Sequence, residues 1–138
     1  MGFWVDLNGD GRKDFLTARS NAKAGQGELL WLEHPEGGFA SENWTEHVLN
    51  NMADVCIDMV TLSQYEDEIV VFSAQFFDEA VSVHRISTKD GSLVSSRMID
   101  DSTILSAYLA QYVDINGDGT FELIVNNHEK DENTNGIF

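Results

Sequence analysis

The residues best placed to do chemistry form one stretch that occurs twice. Asp6-Leu-Asn-Gly-Asp-Gly-Arg-Lys-Asp14 recurs as Asp114-Ile-Asn-Gly-Asp-Gly-Thr-Phe-Glu122. Each copy puts oxygen-bearing side chains at positions 1, 3, 5 and 9 of a nine-residue loop. Glycines lie between them, where the backbone must curl tightly and often with positive φ. Such a loop turns several hard oxygens toward one cation. Calcium takes about six to eight oxygen ligands at flexible geometry, so it suits this loop better than magnesium or zinc. The expected ligands of a first calcium are Asp6, Asn8, Asp10 and Asp14 by side chain, with the Arg12 carbonyl at position 7. A second calcium would take Asp114, Asn116, Asp118 and Glu122, with the Thr120 carbonyl.

Two other readings of the same residues fare worse. An EF-hand loop also opens with this pattern, but it closes on an acid at about position 12 and needs a helix on each side. Position 12 is Thr17 in one copy and Val125 in the other. Phe15-Leu-Thr-Ala and Leu123-Ile-Val-Asn follow the closing acids, and they favour strands. A metal-free hairpin turn needs a glycine with one Asn or Asp. It does not need ligand-type residues at alternate positions, twice over.

Elements must hold these loops in place, and a repeat shows which. Asp14 and Glu122 are 108 residues apart, and Glu68 lies midway before the apolar run Ile69-Val-Val-Phe72. A period of 54 follows. At that offset Leu29-Leu-Trp-Leu32 matches Val83-His-Arg-Ile86, and Trp44–Val48 approximately matches Met98–Ser102. The small residues Gly2, Cys56 and Ala110 match as well. Strands are expected near 2–7, 14–20, 28–34 and 44–49, then 55–62, 68–75, 80–87 and 93–99, then 107–114 and 121–128. Asn8-Gly, Pro35-Glu-Gly-Gly38, Lys89-Asp-Gly91 and Asn116-Gly punctuate them as turns. No segment has helical periodicity. The fold class is all-β: repeats at about 1–54, 55–108 and 109–138, each a four-stranded antiparallel unit, with the third cut short after two strands. Units of this size at a fixed period are the signature of β-propeller blades, stacked because no single unit buries both faces. Propellers close with about four to eight blades. Roughly two and a half are expected here, hence an incomplete propeller, with 129–136 a polar loop leading into a third strand.

Trp4-Val-Asp-Leu-Asn-Gly-Asp-Gly-Arg-Lys-Asp-Phe-Leu and Tyr112-Val-Asp-Ile-Asn-Gly-Asp-Gly-Thr-Phe-Glu-Leu-Ile-Val resemble FG-GAP/VCBS-type repeats, which build the propellers of integrin α-subunit heads and of many secreted proteins. Gly27-Glu-Leu-Leu-Trp-Leu-Glu-His-Pro35 with Trp44-Thr-Glu-His-Val48 is similar to the third and fourth strands of secreted VCBS propellers, some of them attached to carbohydrate-active enzymes. The resemblance implies that each loop joins the innermost strand of a blade to the second, with the ion stapling that hairpin. It also implies that ligands meet the opposite face, through segments matching 20–27, 75–79, 50–54 and 100–106. These carry no distinctive chemistry, so no binding residue is singled out in them. The middle repeat departs from the pattern. Its ligand positions at an offset of 54 are Val60, Leu62 and Gln64, with only Glu68 kept, so it should hold no calcium and rely on packing.

Charge and composition narrow the function. The 138 residues carry a net charge of −16, and two calcium ions would offset four of the six loop acids. An acidic surface argues against nucleic acid or an anionic membrane as partner. No apolar run is long enough to cross a bilayer as a helix. Met1 leads into Gly-Phe-Trp-Val-Asp without a basic or apolar leader, so no signal peptide is expected in this stretch. Asn43-Trp44-Thr45 matches a glycosylation sequon by composition alone. Calcium sites of extracellular modules commonly have dissociation constants of about 10⁻⁴ to 10⁻³ M, so such sites fill outside cells, and an extracellular, secreted or ectodomain location is expected.

Other residues have plainer readings. Cys56 has no partner for a disulfide and no basic neighbour, so it reads as a buried packing residue. His34, His47, His84 and His128 lack metal-ligand spacing and read as surface or strand-edge residues. Glu33-His34 and Glu46-His47 could meet across neighbouring strands. Trp4, Trp31 and Trp44 could offer sugars a stacking platform, but packing between units is the simpler role. No nucleophile–base motif, P-loop or dinucleotide fingerprint is present. The chain therefore reads as a calcium-binding scaffold for a protein or carbohydrate ligand, not as an enzyme. The alternative is a fragment of a secreted carbohydrate-active lyase or hydrolase whose active site lies on other blades.

Overall fold

A computed structural model of the chain describes residues 1–51, 53, 56–128 and 136–137. Among the described residues there is no helix, and eleven strands form three antiparallel sheets. Sheet 1 runs in order β1 (Gly2–Val5), β2 (Asp14–Arg19), β3 (Glu28–Glu33), β4 (Thr45–Asn50). Sheet 2 follows the same order with β5 (Cys56–Val60), β6 (Glu68–Gln75), β7 (Ala80–Ser87) and β8 (Leu93–Asp100). Sheet 3 contains β9 (Ala107–Val113), β10 (Glu122–Asn127) and the two-residue β11 (Gly136–Ile137). The expected strands all form, within a residue or two at each end. β11 adds the start of a third strand in the last unit, pairing through Ile124 and Val125. Residues 129–135, where a polar connection is expected, lie outside the described set.

The strands form where β-branched, aliphatic and aromatic side chains alternate about the sheet plane, and two apolar layers take up their faces. Leu7, Leu16, Leu29 and Trp31 of sheet 1 pack with Ile57, Ile69, Val71 and Ile86 of sheet 2. Val70, Phe72, Ala74 and Val81 on the other face of sheet 2 pack with Ala107, Ala110, Leu123 and Val125 of sheet 3. The middle sheet is apolar on both sides, so β6 reads as a near-continuous buried run. Trp31 is 2% exposed between sheets, the packing role expected of it. At Gly91 in the β7–β8 turn, φ is +68° and an added Cβ would overlap the Trp31 indole, so the turn needs glycine twice over.

Three details of the repeat differ from the sequence alignment. His47 lies opposite Trp31, whereas Ser95 lies opposite Arg85, the counterpart of Trp31. Strands β4 and β8 are therefore offset by 48 residues, not 54. The cause is loop length: eleven residues separate β3 from β4, but five separate β7 from β8. Second, Gly2 pairs with Thr17 and Ala110 with Val125, but the counterpart pair in the middle sheet is Met59–Val71. Cys56 instead pairs with Ala74 and is half-buried, so the small-residue match fails for it. Third, the middle hairpin has more than packing. The Glu68 carboxylate accepts from Arg85 Nε at 2.6 Å and Nη2 at 2.9 Å, and the same guanidinium lies 4.0 Å over the Tyr65 ring. A fork-to-fork pair of this kind resists thermal disorder better than a lone contact. Replacing Glu68 by glutamine should lower unfolding stability in urea by about 1 kcal/mol at most, the upper end for an ion pair that solvent still reaches.

Candidate metal centres

The two oxygen-rich loops each join the first strand of a sheet to the second, and strands flank both. That removes the EF-hand alternative, which needs helices. Five hydrogen bonds recur at equivalent positions of the two loops. Asp6 accepts from the backbone N–H of Gly9 and Gly11, both at 2.8 Å. Asp114 accepts likewise from Gly117 at 2.7 Å and Gly119 at 2.8 Å. Asn8 Oδ1 accepts from Asp10 N, and Asn116 Oδ1 from Asp118 N. Asp10 Oδ1 accepts from Arg12 N, and Asp118 Oδ1 from Thr120 N. The closing acids bond back to their own loops: Asp14 Oδ2 takes Leu7 N at 2.9 Å and Glu122 Oε2 takes Ile115 N at 3.0 Å. The glycines share left-handed backbone, with φ of 74° and 84° in the first loop and 75° and 87° in the second. Bonds from backbone N–H to the ionised form hold Asp10 and Asp118 below the ordinary carboxylate range; Arg12 N is the main donor to one and Thr120 N to the other.

The loops differ in their surroundings. Asp10 Oδ2 is 2.5 Å from Arg12 Nη2, an internal counter-charge. In the second loop Asp118 Oδ2 accepts instead from the neutral Asn116 amide. The first loop is also tied to the rest of its sheet. Asp14 is fully buried, and its other oxygen accepts from His34 N at 2.9 Å. Arg12 Nε donates to the His34 carbonyl, and Asn8 Nδ2 donates to Glu33 Oε1. Glu33 and His34 were not among the expected site residues. Their spacing from the loop carries no motif, and only pairing of β3 with β2 brings them there. Glu33 also reaches His47 Nε2 at 2.9 Å, the cross-strand acid–histidine pair expected from sequence.

The donor set fits a hard cation. Every expected side-chain ligand offers oxygen, and a carboxylate oxygen with one N–H bond keeps a lone pair free. Among the described residues, no group of three or more His, Cys, Asp or Glu side chains converges as a ready-made ligand set. Each cage thus depends on Asn8 or Asn116 and a main-chain carbonyl besides its acids.

Elsewhere, the structure alters two readings of individual residues. His84 is fully buried rather than at the surface. Its Nε2 lies 2.8 Å from Ser73 Oγ and its Nδ1 2.9 Å from Ser96 Oγ, with Asn50 Nδ2 of sheet 1 at 3.1 Å. Burial pushes its pKa down to about 4. Trp4 is 46% exposed and does not pack between sheets. It joins Phe15, Phe39 and Trp44 in an aromatic cluster on the open side of sheet 1, with His34 against Phe39 and Trp44. The eleven-residue β3–β4 connection supplies Phe39 and Trp44 to it.

At the end of the sheets away from the oxygen-rich loops, inter-strand segments of sheets 1 and 2 touch. Gly25 N donates to Asp78 Oδ1 at 2.6 Å, bridging sheets 1 and 2. A depression of about 450 Å³ forms there beside Asn51, Gln75 and Asp101. Met52 and Asp54, in the same expected surface, lie outside the described residues. No protein-family model, curated protein or solved structure matches this chain.

Proposed function

We propose that the chain is a run of β-propeller blades of the FG-GAP/VCBS type, stapled by two structural calcium ions, that serves as an extracellular binding or adhesion scaffold. The supporting observation is that five backbone-to-side-chain hydrogen bonds recur at equivalent positions of two loops 108 residues apart. Chance turns would not reproduce both the ligand-type side chains and the glycine backbone angles. Calcium held by Asp6, Asn8, Asp10, Asp14 and the Arg12 carbonyl would neutralise crowded acids and fix the β1–β2 hairpin. Asp114, Asn116, Asp118, Glu122 and the Thr120 carbonyl would do the same for β9–β10. The role is structural, since the side-chain oxygens of each loop are all spent on the cage. The ligand, a protein or a carbohydrate, would meet the opposite end, where Gly25, Asn51, Gln75, Asp78 and Asp101 gather.

Calorimetric titration of the metal-stripped chain with calcium tests this. Two ions should bind, the second loop filling first because no arginine competes for its carboxylates. Asp10→Ala and Asp118→Ala should each remove one ion. Binding of three ions would show the middle hairpin to be a site too, and binding of none would remove the proposal.

A further inference from the structure

Between sheets 1 and 2, Trp31 fills the interface. Its counterpart on the face of sheet 2 toward sheet 3 is Arg85, opposite Val70 as Trp31 is opposite Leu16. The guanidinium turns aside onto Glu68 and Tyr65 and does not replace the volume of an indole. A cavity of about 350 Å³ remains, a size ordinary for small-molecule sites. Val70, Phe72 and Val83 give it an apolar lining, and Tyr65 and Tyr112 an aromatic one. Tyr112 is already held by stacking on Phe72 and Phe121, with ring centroids 5.0 and 5.3 Å away.

Charge sets the kind of ligand. The chain has 8 Lys and Arg against 24 Asp and Glu, yet two arginines line this one cavity. Glu68 neutralises Arg85. Arg97 also lines the cavity, and among the described residues no acid pairs with it. An unpaired guanidinium is a rigid fork of donors matched to a carboxylate.

We propose that this cavity binds a small monocarboxylate with a planar apolar ring, the carboxylate on Arg97 and the ring against Tyr65 and Tyr112. No residue of either oxygen-rich loop lines the cavity, although Tyr112 stacks on Phe121 of the second, and the proposal does not rest on the calcium reading. The acidic surface repels anions at long range, which keeps the affinity modest. Benzoate is the probe, with a dissociation constant on the order of 1 mM.

The test is a benzoate titration of the full chain followed by heteronuclear NMR. Resonances of Tyr65, Tyr112 and Arg97 should shift together. Arg97→Gln should weaken binding at least about tenfold, and Arg97→Lys, which keeps charge but loses the fork, by less. Arg97 is exposed and unpaired, so neither variant should move the thermal midpoint by more than about 1 °C. Benzamide, the neutral isostere, should bind the native chain at least about tenfold more weakly than benzoate. The proposal is overturned if benzoate fails to bind at about 20 mM, or if shifts map elsewhere. It is equally overturned if Arg97→Gln leaves affinity unchanged or benzamide binds as well as benzoate.

Discussion

Calcium at about 10 mM should raise the thermal unfolding midpoint of the metal-stripped chain by about 15 °C. Each loop concentrates three acids within nine residues, and an ion would meet that arrangement only when the hairpin is folded. With a dissociation constant of about 10⁻⁴ M, such a concentration stabilises by about 2.7 kcal/mol per site, or roughly 5 kcal/mol for two. A domain of this size gains about 3 °C per kcal/mol. Magnesium should give a small fraction of the shift, because it demands near-octahedral ligands and sheds water reluctantly. Asp10→Ala and Asp118→Ala should each remove about half the calcium effect, and the pair nearly all of it. Differential scanning calorimetry in chelator and in calcium reads all of these. Overlapping melts in the two buffers would exclude a stabilising ion.

The second large effect is acid sensitivity centred on His84. Its folded-state pKa of about 4 lies below the ordinary 6.5, with desolvation the cause. Above pH 6.5 the ring is neutral in both folded and unfolded chains and stability is complete. As the pH falls below 6.5 the unfolded chain takes the proton first, so stability drains away until about pH 4, where the folded ring titrates as well. The loss over that window is on the order of 3 kcal/mol. His84→Gln should flatten stability between pH 6.5 and 4.5, since glutamine keeps hydrogen-bonding capacity without titrating. His84→Ala should cost about 3 kcal/mol or more at neutral pH, because it removes the ring's bonds to Ser73, Ser96 and Asn50 and opens a cavity in a buried position. Urea unfolding at a series of pH values separates these effects. An unchanged pH slope in His84→Gln would place the acid sensitivity elsewhere.

Much of the fold was legible because its punctuation is strong. Asn-Gly, Asp-Gly and Gly-Gly pairs bound runs of alternating apolar residues, so strand positions and the antiparallel order followed from local pattern alone. Strand pairing across loops of unequal length was not legible. The six extra residues before Thr45 and the changed closure of the middle hairpin shift register without marking the sequence, because an alignment at a fixed period counts residues and not sheet positions. The gathering of the loop acids was legible by spacing, since nine consecutive residues bring them together. Glu33 and His34 were not, because β3 brings them in from beyond Arg19. The His84 network had one available signal. Ser73, Gln75, Ser82 and His84 recur at alternate positions of β6 and β7, a polar line along mostly buried strands, and alternate positions share a face.

The two closing acids are not equivalent. Asp14 grips Leu7 N with one oxygen and His34 N with the other, whereas Glu122 grips only Ile115 N among the described bonds. In the first unit, then, opening the hairpin also frees the start of the β3–β4 connection, and with it the anchor of the aromatic cluster. Breathing of the β1–β2 loop is thus yoked through His34 to the far part of the aromatic cluster, Phe39 and Trp44. The β9–β10 loop has no matching bond among the described residues, and its Phe121 leans on Tyr112 instead, so its motion would pass to the interface of sheets 2 and 3.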